Sequence, residues 1–462
     1  MNHTPIRYFM DALSDWIDRK SPVLILTPWQ KGLGNLAEEM YYGLLKARRD
    51  GKKIIFLYPR PVFGNFPAPV ANHELYYLES DYSVSLERNF LGQAFNRALG
   101  LIYAVLWLSY LSLRKCLRFL RNRGFVRALP PYNYWYRFAA LGRSTLWKPA
   151  GIRHFSEEAV KAKEWQQNIA KRFSVRLEER KFQYAQAQRV EMGIPLSDWF
   201  VCLHVREGGF WLDSSQRSSS IASYFNGMKV IGAAGGWVVR MGDATMTPLE
   251  PTERVIDYPH TPFKSESMDL YLLSQCRFFV GTDSGPLAAA GTFFQRRALW
   301  TDLIGYVSAY PLRRGDLGLM KHVFSRSRNR FLSIRELLQE PIESQESSFE
   351  PLGADYVLKD NTPEEIREII EECLSKPPDA PYTELQETFN HIRMSRIQEF
   401  VKKRELRRTV SADIEERYRN AAYAYYHGAL GQRYLERHWL CNGFNGNNQQ
   451  FSSEAAAVVT GA

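Results

Sequence analysis

Apolar residues along this chain gather into short runs of strand length, separated by longer stretches with helical spacing. Near the N-terminus, Pro22 to Leu26 (PVLIL) is such a run, TPWQKGLGN is a glycine-bearing loop, and LAEEMYYGLLKARRDG predicts a helix that Gly51 is placed to end. KKIIFLYP follows as a second strand. The order strand, glycine loop, helix, strand is the opening of a doubly wound parallel sheet. From Tyr76 to Gly151 the pattern is irregular and includes an aromatic, proline-rich patch, LPPYNYWYRF, that predicts no particular fold.

Between Ser156 and Arg189 polar helix formers dominate, until Gly193 and Pro195 punctuate the chain and mark an expected domain boundary. The same grammar then restarts. WFVCLHV (Trp199 to Val205) predicts a buried strand and IASYFNGMKVIGAAGG a helix closed by Gly235 and Gly236, while WVVRMG, RVIDY and RFFVG supply further strands around the helical DLYLLSQC. PLAAAGTFF opens another helix with Pro286 at its favoured first position. Thr362-Pro363-Glu364-Glu365 joins an N-cap hydroxyl, a first-turn proline and a capping-box glutamate, which is a helix start. The expected fold is α/β with two Rossmann-like domains, 1–192 and 193–380, then C-terminal helices over 381–440 and a disordered tail over 441–462. A length of 462 residues agrees, since it exceeds what one core usually organises.

One segment breaks the pattern. Ala98 to Leu113 (ALGLIYAVLWLSYLSL) carries no charge, and RKCLRFLRNRGFVR follows directly. As a helix the uncharged run measures about 24 Å, short of the roughly 30 Å of a bilayer core. Two readings follow for residues 98–123. In the preferred one the segment lies in the membrane interface, with Arg114, Lys115, Arg118, Arg121 and Arg123 meeting anionic headgroups. In the other it is a buried core helix followed by a solvated basic face.

Composition narrows the partners. The net charge of +10 favours anionic ligands, and the absence of zinc-finger spacing, RNP-like aromatics or long basic runs turns that preference from nucleic acid to lipid or sugar phosphates. Cys116, Cys202, Cys276, Cys373 and Cys441 are scattered without CxxC pairs, so reduced thiols are expected. The first residues, MNHTPIRYFMDALSDWIDRK, lack the apolar core of a signal peptide, and a cytoplasmic location at the inner face of the membrane is expected.

Candidate chemistry gathers in the second α/β unit. VGTDSGPLAAAG follows an apolar strand and turns into a helix, which offers backbone N–H groups, the Thr282 and Ser284 hydroxyls and the close backbone approach of Gly285 to a phosphate, with Asp283 among them. LHVRE ends another strand of the unit, which brings His204 and Arg206 to the carboxyl edge of the sheet, where a guanidinium can grip a diphosphate. Glu207 is read either as a general base or as a surface salt bridge. Arg240, Gly242 and Asp243 stand where WVVRMGDAT meets its loop, suited to a ribose or base, with Asp243 equally readable as a turn cap. No Asp-x-Asp triplet, GxSxG elbow, GxxxxGK[ST] loop or HExxH helix occurs, so no metal is expected, and hydrolase, P-loop and zincin readings are disfavoured.

Gly32-Leu33-Gly34-Asn35 resembles the GxGN loop of fucosyltransferases with a GT-B-like fold, and His204-Val205-Arg206 resembles their HxR motif. Thr282-Asp283-Ser284-Gly285-Pro286 with the following alanines is similar to the DSGP segment of bacterial heptosyltransferases. The resemblance covers roughly Pro22 to Tyr58 and Trp199 to Trp300. It implies a GT-B glycosyltransferase that binds a nucleotide sugar, GDP by preference, on the C-terminal domain. Arg206 and Thr282 to Gly285 would hold the diphosphate, and the Gly32, Gly34 and Asn35 loop would stand across the cleft. It further implies inverting, metal-independent transfer with no bound cofactor; together with the apolar-basic segment, these motifs make a lipid-linked or nascent surface-polysaccharide acceptor the expectation. A sugar-nucleotide epimerase of the same architecture and a non-catalytic membrane-associated scaffold are the alternatives. Glu207-Gly208-Gly209 and the serine-rich run after it depart from the fucosyltransferase pattern.

Overall fold

The computed structural model describes residues 20–64 except 29 and 31, 70–123, 175–207, 217–304, 313–339, 355–395 except 394, and 428–441. The LPPYNYWYRF patch, the polar stretch over 156–174, Gly208-Gly209 and the tail beyond Cys441 lie outside these residues.

The first unit is a parallel sheet of β1 (Val23–Leu26), β2 (Lys53–Phe56) and β3 (Ser83–Val84), in that order. Helix α1 (Leu33–Arg49) crosses from β1 to β2. It begins earlier than its apolar spacing suggests, so Gly34 and Asn35, expected in the loop, form part of its first turn. Residues on all sides of α1 are buried, among them Leu36, Ala37, Met40, Tyr41, Tyr42, Leu44 and Leu45. A helix covered all round needs a second partner besides its own sheet.

Helix α2 (Phe90–Asn122) runs for 33 residues, about 50 Å at the helical rise, well beyond the uncharged run and through the basic one. Its start is anchored by Asn96, fully buried, whose side chain accepts from Tyr58 N at 3.2 Å and donates to Glu87 at 2.7 Å. From Leu101 onward much of its surface leaves the body: Leu101, Ile102, Val105, Leu106 and Leu108 are exposed, while Ala104 between them stays buried. That excludes the buried-core reading of this segment. The helix is long and apolar enough over Phe90–Leu120 to cross a membrane, and 19% of its most apolar window is buried.

After α3 (Glu179–Glu191) comes the second unit, a seven-stranded parallel sheet. Its strands are β4 (Phe200–His204), β5 (Trp237–Arg240), β6 (Val255–Asp257), β7 (Phe278–Gly281), β8 (Arg297–Leu303), β9 (Leu317–Met320) and β13 (Ala429–Leu430). The spatial order β6-β5-β4-β7-β8-β9-β13 is the 3-2-1-4-5-6 order of a Rossmann sheet with one strand added. β4 is buried at every position, as its unbroken apolar run demands. Helix α4 (Phe225–Ala233) connects β4 to β5, and α5 (Glu266–Gln275) leads into β7. After β7, α6 (Gly285–Ala288) continues into a π-turn over Ala289–Phe293, with Pro286 in its first turn as expected.

The remaining elements are β10 (His322–Ser325), β11 (Arg330–Phe331), α7 (Ile334–Leu337), β12 (Tyr356–Lys359), α8 (Pro363–Ser375) and α9 (Gln432–His438). β11, β10 and β12 form a small antiparallel sheet that the sequence pattern did not announce. The expected capping box of α8 is formed, with Thr362 and Glu365 bonded reciprocally. Within the stretch expected to be helical throughout, Ala429–Leu430 is instead a strand. It is flanked by glycines and pairs in parallel with Leu317 and Gly318, so a free sheet edge wins over helix propensity there.

The two sheet units meet through α1. An added Cβ on Gly34 would lie 3.0 Å from Gly285 Cα and 3.1 Å from Ala288 Cβ, so the start of α1 rests directly on the start of α6. Where a cleft was expected, these two helix ends are in van der Waals contact. A second junction joins Asn72 and His73 to Glu266 at the start of α5, with bonds of 3.0 and 2.6 Å.

Candidate functional site

In a 3-2-1-4-5-6 sheet the crevice for a ligand opens at the carboxyl ends of the two neighbouring strands where the winding reverses. Here those strands are β4 and β7, paired in parallel from Cys202 with Phe279 to His204 with Gly281. The first ends in His204-Val205-Arg206 and the second runs into Thr282-Asp283-Ser284-Gly285. Both expected phosphate-gripping segments therefore sit side by side at the switch point.

Their main chains are locked together. Thr282 N donates to His204 O at 3.1 Å, and Arg206 N donates to the Thr282 hydroxyl at 2.9 Å. Gly281 allows the approach: its φ is +153°, and an added Cβ would fall 1.9 Å from His204 O, inside any tolerable contact. Thr282 is fully buried, so it is a strut of the turn.

Several polar groups at this point are buried without a bond. Among the described residues, His204 Nδ1, the Ser284 hydroxyl and Arg217 Nε have no hydrogen-bond partner. Such orphans carry a desolvation penalty of about 1–3 kcal/mol each unless a ligand meets them. Burial, and then the nearby Arg206 charge, push the His204 pKa down to about 4, so its imidazole is neutral at ordinary pH.

Two helix N-termini converge beside these groups. The N-cap residues are Gly32 for α1 and Ser284 for α6, and neither makes a side-chain cap bond. Each presents unpaired backbone N–H groups and the positive end of a dipole. Pressing two such ends together at the Gly34–Gly285 contact is unfavourable without an anion between or beside them. Gly34 thus lies against the second unit's phosphate turn, rather than across a cleft from it.

Asp283 is held by Arg217, whose Nη2 lies 2.5 Å from its carboxylate and donates to its carbonyl at 3.0 Å. Arg217 escaped notice in the sequence. Its only signal is a lone cation in the serine-rich run after Glu207-Gly208-Gly209.

The other expected residues separate from this cluster. Arg240 is 1% exposed, and its guanidinium is committed to Glu207 at 2.5 Å, Asp257 at 3.0 Å and Thr247 O at 2.6 Å. Glu207 also accepts from Thr247 N at 3.1 Å. The strand ends at His204, so Glu207 swings toward β5 while the Arg206 main chain binds toward β7. Both Glu207 oxygens are engaged, one by an arginine and the other by an amide, which favours the salt-bridge reading of Glu207. Asp243 accepts from Thr245 N at 2.8 Å, so it caps its turn, and Gly242 sits at φ +154° beside Met246.

Elsewhere, His322, Glu365 and His438 bring three potential metal-ligating atoms within 4.8 Å of one another. They stand on β10, α8 and α9, outside the switch point, and Glu365 accepts from both imidazoles at 3.0 and 2.6 Å. The five cysteines are free.

No family model matches the chain, and no curated protein matches it. Its structural neighbours are glycosyltransferases. They include ADP-heptose lps heptosyltransferase II of E. coli, at 14% identity and a TM-score of 0.29, covering 60% of this chain and 83% of that one. A glycosyl transferase of family 9 from Veillonella parvula DSM 2008 gives 10% identity and a TM-score of 0.25, over 65% of this chain and 63% of its own. NodZ alpha-1,6-fucosyltransferase co-crystallized with GDP gives 13% and 0.26, over 58% and 92%. Overlaps this loose carry no weight on function, which rests on the residues.

Proposed function

We propose that this chain is a GT-B-type glycosyltransferase that binds the diphosphate of a nucleotide sugar at the β4–β7 switch point. The observation that carries the reading is the meeting of two uncapped helix N-termini, Gly34 against Gly285, at the turn to which the Arg206 main chain is bonded. A diphosphate answers the unmet donors of Ser284 and Arg217 there. Its oxygens would accept from the N–H groups of both helices, the Ser284 hydroxyl and Arg217 Nε, and its charge would sit against Arg206.

In transfer, the sugar's anomeric carbon loses its bond to the diphosphate, and negative charge grows on the departing phosphate oxygen. Arg206 and the helix dipoles stabilise that charge where it develops, which is the largest task in the reaction. The arrangement lets the leaving group be stabilised without a metal. GDP is the preferred nucleotide, on the resemblance of His204-Val205-Arg206 to fucosyltransferases.

The acceptor is proposed to be lipid-linked or a nascent polysaccharide, held at the cytoplasmic face of a membrane. Support comes from α2, whose exposed Leu101, Ile102, Val105 and Leu108 precede the exposed cations Lys115, Arg118 and Arg123. Apolar side chains would enter the acyl boundary while the cations meet anionic headgroups.

Binding of GDP-, UDP-, ADP- and CMP-sugars, followed by acceptor-dependent nucleotide release, tests the reading. Transfer predicts free nucleotide only as sugar leaves the donor. An epimerised donor with no release makes the chain an isomerase, and binding of no nucleotide leaves a scaffold.

A further inference from the structure

The transfer needs a group to take the acceptor's proton, and Glu207 is spent on Arg240. One carboxyl on the opposite wall is not spent. Glu38 lies on α1 four residues after Gly34, hence on the same helical face, and helical side chains lean over the preceding turn. That places Glu38 over the Gly34–Gly285 contact. Its electrostatic surroundings agree, because Asp283 of the second unit acts on it more strongly than its own neighbour Glu39. Among the described residues no hydrogen bond or ion pair holds its carboxyl, in contrast to Glu207 and Asp283.

We propose that Glu38 is the general base of this chain, acting on the acceptor hydroxyl beside the diphosphate grip. The role rests on the transferase reading above. As the acceptor oxygen forms its bond to the anomeric carbon, the bond from that carbon to the diphosphate oxygen breaks and its electron pair leaves with the diphosphate. The hydroxyl proton passes to the Glu38 carboxylate and from there to solvent. Burial, and then the Asp283 charge, raise the Glu38 pKa to about 8, close to the working pH that suits a base. The base and the leaving-group grip then come from different sheets, and the acceptor enters beside the Gly34–Gly285 contact.

The test compares wild type with Glu38→Gln and Glu38→Asp. GDP affinity is measured by titration, and turnover as nucleotide release from GDP-fucose and ADP-heptose across pH 6 to 9. Glu38→Gln is expected to bind GDP within about threefold of wild type and to lose turnover about a hundredfold or more, with Glu38→Asp recovering part of it. Wild-type turnover rises with pH to a plateau above about 8, and the Gln variant loses that limb. Its thermal midpoint at pH 8 should exceed that of wild type, since the neutral amide avoids ionising a buried carboxyl, and this also reports that the variant is folded. Unchanged turnover with the same pH limb in Glu38→Gln overturns the role of Glu38 alone. Wild-type protein that binds or turns over no nucleotide sugar overturns the transferase reading and the role with it.

Discussion

The two walls that meet at Gly34 and Gly285 differ in what they offer. The wall built on β4 and β7 is rich in donors: Arg206, Arg217, the Ser284 hydroxyl and a helix N-terminus. The wall built on α1 adds its own helix N-terminus but otherwise presents a carboxyl, that of Glu38. A donor wall suits an anionic leaving group, and a carboxylate wall suits a hydroxyl that must lose a proton. On the proposed transfer the two sheets would divide the reaction between donor and acceptor, and each perturbation below should strike one wall more than the other.

The largest effect is expected from Arg206→Ala. Loss of the one guanidinium carried on the end of β4 should lower turnover by roughly 10²–10³-fold and weaken nucleotide binding, measured by steady-state release and titration. Equal activity in the variant would dissolve the donor wall as described. Next comes Gly281→Ala, whose methyl would fall on His204 O while its backbone is held at φ +153°. A stability loss of about 3 kcal/mol or more is expected in denaturant unfolding, with nucleotide binding lost in parallel. Binding retained at full strength would mean that the β4–β7 lock is dispensable.

Acid should sharpen the contrast through His204. Its pKa is lowered from 6.5 to about 4, so the unfolded chain takes up this proton before the folded one does. Stability from this group is therefore full above about 6.5 and falls as the pH drops toward 4, by up to about 3 kcal/mol. A bound diphosphate should shrink that loss, because its charge favours the imidazolium. Unfolding midpoints recorded from pH 7 to 4, with and without GDP, check both statements. The smallest effect on the site is expected from Leu101→Glu with Val105→Glu on α2. These changes should abolish flotation with anionic vesicles while altering GDP affinity by less than about twofold. Loss of both would tie α2 to the donor wall.

Much of this was legible in the sequence, and the misses have physical causes. β4 and β7 stood out because strands buried on both faces are unbroken apolar runs, and the motifs at their ends follow in register. The contact between Gly34 and Gly285 was not readable, because it joins residues of two sheets far apart in the chain. Nothing in the helical run LAEEMYYGLLKARRDG sets Glu38 apart, and only the second wall pressed against α1 makes its carboxyl unusual. Arg217 sat in a serine-rich run with no periodicity to place it. Arg240 was read as a ligand contact because it ends a strand, but its neighbours Glu207 and Asp257 consume its guanidinium. The strand at Ala429–Leu430 is too short to show a pattern and exists because β9 leaves an edge to be paired.

The central claim is that the two uncapped helix ends form one diphosphate site. Titration of wild type and Gly34→Val with GDP and GMP tests it most directly. The account predicts that wild type prefers the diphosphate by at least tenfold, and that Gly34→Val, which wedges the helix ends apart, remains folded but loses that preference. No preference for the diphosphate in wild type, or an undiminished one in Gly34→Val, would contradict it.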